Sequence, residues 1–189
     1  MSVVTLEYSF ALIRVPKTGS VSQAQLYMNY GTEIRDTDNS VNYPTHMPSV
    51  ELKNVFREKN WDWDGCFKFG FVRNPWEREV SNYFFFRKIK RIKDMSFSEY
   101  LENQSGTPSG GWEMHTYLTD VDYVARYENF EEETNFIWKK LNLPESPKLP
   151  HLNSTKHRPY WEYYNDKEIL LVQETYKKDI ELYNYEFED

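Results

Sequence analysis

Apolar residues recur along this chain in two rhythms, with turn residues between them. The run Phe10-Ala-Leu-Ile-Arg-Val15 is almost wholly apolar and predicts a buried strand. Cys66-Phe-Lys-Phe-Gly-Phe-Val72 alternates aromatic with small or polar residues and predicts a second; Val121–Tyr127 predicts a third. Helical spacing predicts helices over Ser20–Tyr30 and over Pro48–Lys59, where Pro48 suits the first turn and Val50, Leu52, Val55 and Phe56 can share a face. Pro75 opens a long helix to about Lys93, and Ser96 with Glu99 forms a capping box for a short helix to Asn103. An amphipathic helix over Phe130–Leu141 ends before Pro144, and a last helix runs from Asp166 to about Tyr183. Between these lie a polar loop with Asp36, Asp38, Asn39 and Pro44, a glycine-rich loop at 105–111 and a proline-rich irregular segment at 144–160.

Alternation of apolar strands with helices argues for a central, mainly parallel sheet flanked by helices, a P-loop-like three-layer α/β/α fold in one domain over 1–189. In such sheets ligands bind beyond the carboxyl ends of the strands. Three segments fall there: 16–22, Arg73–Pro75 and Glu128–Asn129.

Composition narrows the function classes. A chain of 189 residues with 39% hydrophobic and 28% charged residues is a globular domain with a real core. Aromatics make up 17%, so the core and any cleft wall are rich in rings. The net charge of −7 argues against generic nucleic-acid binding. Yet Lys68–Lys93 holds eight basic residues (Lys68, Arg73, Arg78, Arg87, Lys88, Lys90, Arg91, Lys93) against Glu77 and Glu79. That run reads either as an anion-binding region or as a solvated helix face. The single cysteine, Cys66, excludes an internal disulfide and reads as a small core residue. No apolar stretch approaches the roughly 20 residues that cross a bilayer, so the chain is expected to be soluble and cytoplasmic.

The most informative stretch is Pro16-Lys-Thr-Gly-Ser-Val-Ser22, directly after the first strand. A strand, a small-residue turn and a helix start aim backbone N–H groups and the positive end of a helix dipole at an anion. Lys17 adds a mobile point charge suited to a phosphate or sulfate ester. The same arrangement also occurs in α/β proteins without a ligand. Lys17 precedes Gly19 and no second glycine follows, so this is not the G-x-x-x-x-G-K-[ST] loop of nucleotide triphosphatases.

Two further segments extend the pattern: Phe71-Val-Arg-Asn-Pro-Trp-Glu-Arg-Glu-Val-Ser-Asn-Tyr83 and the basic segment Leu149-Pro-His-Leu-Asn-Ser-Thr-Lys-His-Arg-Pro-Tyr160. With Pro16-Lys-Thr-Gly-Ser20 and Tyr127-Glu-Asn129, they make the chain resemble sulfotransferases that use 3′-phosphoadenosine 5′-phosphosulfate (PAPS). Within that group it is similar to the carbohydrate sulfotransferases of the chondroitin and heparan types and their short bacterial relatives. The resemblance runs from about residue 10 to Phe187.

The resemblance implies transfer of a sulfuryl group to an acceptor hydroxyl, leaving 3′,5′-adenosine bisphosphate; the basic run and the 105–111 loop point to a saccharide, with a small alcohol, a lipid head group and a peptide tyrosine as the other acceptors. It implies that Lys17, Thr18, Gly19, Ser20, Val21 and Ser22 surround the 5′-phosphosulfate, with Lys17 catalytic at the bridging oxygen. It implies that Arg73 and Ser81 hold the 3′-phosphate, and that Lys156 and Arg158 belong to a basic loop closing over the cofactor. Position 21 is Val where the family favours a hydroxyl residue, which removes one side-chain hydrogen bond and leaves the backbone donor.

Such chemistry needs a deprotonated nucleophile, a stabilised leaving phosphate and in-line geometry. The histidines 46, 115, 151 and 157 are scattered without metal spacing, so no metal is expected. His46 lies where the family places a histidine base, and a histidine titrates near neutrality. His115, after the glycine-rich loop, is the second candidate; Glu128 could orient a base or bind the acceptor. Trp76, Trp112, Tyr160 and Trp161 are available for stacking on adenine or a sugar. A nucleotide-binding kinase and a non-catalytic nucleotide-binding module are the rival readings.

Overall fold

The computed structural model describes residues 2–33, 46–104, 113–144 and 157–188. The strands are β1 (Val3–Thr5), β2 (Phe10–Ile13), β3 (Thr32–Glu33), β4 (Phe67–Val72) and β5 (Tyr123–Arg126). The helices are α1 (Ser20–Tyr27), α2 (Ser49–Glu58), α3 (Pro75–Lys88), α4 (Phe97–Gln104), α5 (Met114–Tyr117), α6 (Phe130–Lys140), α7 (Asp166–Thr175) and α8 (Lys177–Tyr183). Packing groups the chain into two compact units: Met1–Val72 with Thr116–Leu152, and Arg73–His115 with Asn153–Asp189.

The first unit carries one sheet in the order β3-β1-β2-β4-β5. Its three later strands are parallel: Phe10 pairs with Phe67 and Ile13 with Gly70, while Phe69 pairs with Tyr123 and Val72 with Arg126. All four residues of β2 are buried, as a strand flanked by neighbours and covered on both faces must be. β1 runs antiparallel to β2 (Val3 to Leu12), and the two-residue β3 runs antiparallel to β1. These short strands add an antiparallel edge that their brief apolar patterns did not announce. The α/β class with a parallel core is otherwise as the sequence predicts.

Aromatic rings fill the core of this unit. Tyr27 of α1 meets Phe10, Phe69 and Trp138 at ring-centre distances of 5.5, 5.2 and 5.4 Å. These edge-on and tilted contacts fix α1 and α6 against the sheet. Cys66 is buried beside the start of β4, and burial pushes its thiol pKa up, as a packing residue requires.

The second unit is helical. α3 begins where the sequence predicts because Asn74 caps it: its side chain accepts the N–H groups of Trp76 and Glu77, and Pro75 takes the first helical position. The helix ends at Lys88, earlier than the apolar pattern suggests, because Lys90 adopts a left-handed φ of 59° and turns the chain away. The Ser96–Glu99 capping box is present, with reciprocal bonds of 2.7 and 3.2 Å. The predicted final helix is two helices, α7 and α8, broken at Tyr176 (φ −114°). Tyr176 is buried and gives its hydroxyl to the buried carboxylate of Glu79 at 2.7 Å, a contact across the helical layer that no local periodicity encodes. The short helix α5 also went unpredicted.

Candidate functional site

The turn after β2 has the local geometry of an anion cradle. Lys17 and Gly19 both take positive φ, 65° and 74°, with the buried Thr18 between them. Thr18 is pinned in place: its Oγ1 donates to the Val15 carbonyl at 3.0 Å, and its own carbonyl accepts Gln23 Nε2 at 2.5 Å. Gly19 is the residue before α1, and no side chain caps that helix; its first turn holds no acidic residue. α2, α6 and α8 likewise start without a side-chain cap, whereas α3 is capped by Asn74 and α7 by Asn165. Gly19 thus offers no side chain to the first amides of α1, and the helix's own first turn places no carboxylate at the dipole's positive end.

Gly19 is required by more than its φ. A Cβ at this position would lie 2.5 Å from Cε2 of Tyr127, so the tyrosine ring packs directly on the glycine. Tyr127 begins the 3₁₀ turn that follows β5, bringing the ends of two parallel strands together. In the first helical turn Ser20 and Ser22 are buried and Val21 is 48% exposed.

His46 belongs to the same unit. Its Nδ1 lies 2.9 Å from the carbonyl oxygen of Arg14. A carbonyl only accepts, so Nδ1 carries the proton and Nε2 keeps its lone pair. Burial first, then the charges of Arg14 and Lys17, hold the His46 pKa below the usual histidine value, outweighing the bond to Arg14. The ring is therefore neutral at neutral pH and in the tautomer of a base.

In the second unit, Arg73 and Ser81 stand at the mouth of α3 and two turns along it, both buried. Arg73 pairs with Glu77: Nε donates to Oε2 at 3.3 Å and Nη2 lies 3.0 Å from Oε1. The Arg73 N–H donates to Met114 Sδ at 3.3 Å. Arg78 is 1% exposed, with its guanidinium carbon 4.7 Å from the centre of the Tyr176 ring, and serves the packing of this unit.

His115 is held by Asp179, which is completely buried. Asp179 Oδ2 accepts the Met114 N–H at 2.7 Å; Oδ1 accepts the His115 N–H at 2.9 Å and lies 2.8 Å from His115 Nδ1. Arg158 is exposed, paired with Glu162 at 3.0 Å and lying over the Tyr163 ring. Lys156 and His151, together with Trp112 and the 105–111 loop, lie outside the described residues.

Several expectations change. Trp76 is not available to stack on a ligand: it is buried, its Nε1 donates to the Ile169 carbonyl and its ring meets Phe187 edge-on. The basic run Lys68–Lys93 does not form one patch. Lys68 is buried, 3.0 Å from Asp122, Arg73 and Arg78 are buried, and only Arg87, Lys88, Lys90, Arg91 and Lys93 face solvent. Glu128 is exposed, Trp161 is exposed, and the Tyr160 hydroxyl donates to the Glu188 carbonyl.

Sequence reasoning missed four contributors. Asn74 was legible as an Asn-Pro helix start, and Glu77 as a carboxylate four residues after Arg73. Tyr127 stood out only as part of Tyr127-Glu-Asn129, with no sign of its packing on Gly19, and Asp179 gave no local signal.

A parallel sheet whose first parallel strand runs through a lysine-bearing turn into a helix is an α/β frame of the kind that places ligands beyond its strand ends. A sequence model of the sulfotransferase family matches residues 1–186, and the chain belongs to that family. It is 31% identical over 104 residues to an uncharacterized protein of Archaeoglobus fulgidus, covering 52% of this chain and 85% of that one. Its fold is similar to that of mouse sulfotransferase SULT7A1, solved in complex with PAP, with a TM-score of 0.57, 15% identity, and coverage of 89% of this chain and 83% of that chain. No helix among the described residues is long and apolar enough to cross a membrane.

Proposed function

We propose that this sulfotransferase moves a sulfuryl group from PAPS to an acceptor hydroxyl on a saccharide. The observation that carries the reading is the turn 16–20: alternating left-handed residues lead into a helix start without a side-chain cap, in the same unit as a neutral histidine. Bound PAPS would supply an activated sulfuryl group on an anionic leaving phosphate.

In this reading the residues divide the work. The amides of the turn and of Ser20, Val21 and Ser22, with the Ser20 and Ser22 hydroxyls, hold the 5′-phosphosulfate; Thr18 contributes its amide, because its hydroxyl proton is committed to the Val15 carbonyl. Lys17 neutralises the charge that develops on the bridging oxygen. Arg73 and Ser81 hold the 3′-phosphate; Lys156 and Arg158 close over the nucleotide. His46 Nε2 takes the proton of the acceptor hydroxyl, and the Arg14 carbonyl stabilises the resulting imidazolium through Nδ1. The depressed pKa keeps Nε2 unprotonated at the working pH. His115 is the second candidate for this role, oriented by Asp179.

The saccharide rests on the resemblance to carbohydrate sulfotransferases and on the exposed basic end of α3. There Lys90, Arg91 and Lys93 line an open cavity of about 540 Å³ with Asp94, Glu99 and Asn103, which suits a polyhydroxylated, partly anionic chain.

Calorimetric titration with 3′,5′-adenosine bisphosphate beside AMP and ATP, without magnesium, tests the donor site. Preference for the bisphosphate supports the reading, and equal or absent binding overturns it. Transfer from labelled PAPS to a panel of saccharides, small alcohols and tyrosyl peptides then tests the acceptor class.

A further inference from the structure

Gln23, the fourth residue of α1, is completely buried, an uncommon place for a side-chain amide. It grips both peptide groups that flank Gly19. Its Nε2 donates to the Thr18 carbonyl at 2.5 Å, and its backbone N–H donates to the Gly19 carbonyl at 3.1 Å. A carbonyl only accepts, so the amide nitrogen of Gln23, not its oxygen, faces Thr18. Gln23 Oε1 is left buried without a hydrogen-bond partner among the described residues. Such an oxygen costs free energy that an apolar side chain of the same length would not, so packing alone gives no reason for a glutamine here.

The consequence falls on the turn. In a trans peptide the C=O and N–H point in opposite directions. With the Thr18 and Gly19 carbonyls both drawn toward α1, the Gly19 and Ser20 N–H groups point the other way, out of the helix start. Neither N–H donates a hydrogen bond among the described residues. The Thr18–Gly19 peptide is the one in this turn that most needs holding. Its rotation changes the φ of a glycine, which takes positive and negative values with similar ease, so the observed 74° does not maintain itself. The Thr18 hydroxyl, bonded to the Val15 carbonyl at 3.0 Å, fixes the side chain of that residue and leaves this peptide to Gln23.

We propose that Gln23 is a positioning residue for the donor site: by holding the Thr18 carbonyl it keeps the Gly19 N–H turned toward the 5′-phosphosulfate, and so sets how tightly the 5′ anion is gripped. This rests on the reading of residues 16–22 as the 5′-phosphosulfate cradle given above. A glutamine that only fills the core beneath α1 would affect folding and leave the grip on a 5′-phosphate unchanged, so the two roles move different readouts.

The experiment measures the affinity of the full chain for 3′,5′-adenosine bisphosphate and for adenosine 3′-monophosphate, which lacks the 5′-phosphate, in wild type and Gln23→Met, with thermal unfolding alongside. Wild type is expected to prefer the bisphosphate. Gln23→Met keeps the side-chain length and removes the donor; it is expected to weaken the bisphosphate about tenfold and leave the monophosphate unchanged. Its melting temperature should move by no more than about 3 °C, because it exchanges one unpaired acceptor, Gln23 Oε1, for another, the Thr18 carbonyl. Amide NMR of wild type supplies a check that needs no variant and decides the matter if Gln23→Met does not fold. There the Gly19 N–H resonance should move downfield with the bisphosphate and stay in place with the monophosphate. Where wild type prefers the bisphosphate, full preference kept in Gln23→Met, or a Gly19 resonance that the bisphosphate leaves unmoved, overturns the positioning role alone. Equal binding of the two nucleotides by wild type overturns the 5′-phosphosulfate reading of the turn, and the positioning role with it.

Discussion

His46 Nδ1 sits 2.9 Å from the carbonyl oxygen of Arg14, so the backbone that leads from β2 into the Lys17 turn also fixes the tautomer of the candidate base. In the proposed mechanism, leaving-group stabilisation by Lys17 and proton removal by His46 are thereby tied to the same stretch of backbone after β2.

Burial and the nearby cations depress the His46 pKa, and this gives a pH signature. Between the folded-state value and the unfolded value of about 6.5, the unfolded chain binds more protons, so this contribution to stability is full above that window and declines as pH falls through it. Urea unfolding is expected to show a steeper loss of stability on acidification in wild type than in His46→Asn. The acid limb of kcat/KM should lie below the ordinary histidine range. His46→Ala should lower kcat by about 10²–10⁴-fold with little change in donor affinity.

Lys17 holds a left-handed φ of 65° in a residue with a Cβ, which costs about 1 kcal/mol or more. Lys17→Gly should therefore raise the unfolding free energy by about 1 kcal/mol relative to Lys17→Ala while both lose transfer by about 10²–10³-fold. Paired thermal melts and turnover measurements check both halves.

Gly19→Ala would drive a methyl group into the Tyr127 ring, 2.5 Å from Cε2, at a φ of 74°. Destabilisation of about 1–3 kcal/mol is expected. Adding Tyr127→Ala should relieve the clash but not the backbone term, so denaturant midpoints of the single and double variants separate the two.

Asp179 accepts two backbone N–H groups and faces the His115 ring while itself fully buried. Asp179→Ala orphans the Met114 and His115 N–H groups at about 1–3 kcal/mol each, and a total loss of about 2–5 kcal/mol is expected in urea unfolding. Asp179→Asn keeps an acceptor and should lose less.

Much of this was local and hence legible. Phe10–Ile13 is apolar at every position, which only a strand buried on both faces needs. Asn74-Pro75 and Ser96 with Glu99 are helix starts whose caps lie within three residues of the donors they satisfy. Pro16–Ser20 could be read as an anion-binding turn because the geometry it needs is set by its own φ angles. The same rules misplaced the end of α3, where the left-handed turn falls on Lys90 and not on a glycine.

The sequence by itself determined the parallel strands, most of the helices and the strand–turn–helix course after β2, because each depends on periodicity and short-range hydrogen bonding. Tertiary structure alone decided the rest. His46 meets a carbonyl 32 positions away, Tyr127 covers a glycine more than a hundred residues upstream, and Asp179 reaches back 64 positions to His115. Tyr176 breaks a helix to reach Glu79 across 97 residues. These partners are chosen by packing, where a buried polar group takes whichever mate the fold brings within 3 Å, and no local pattern records that choice.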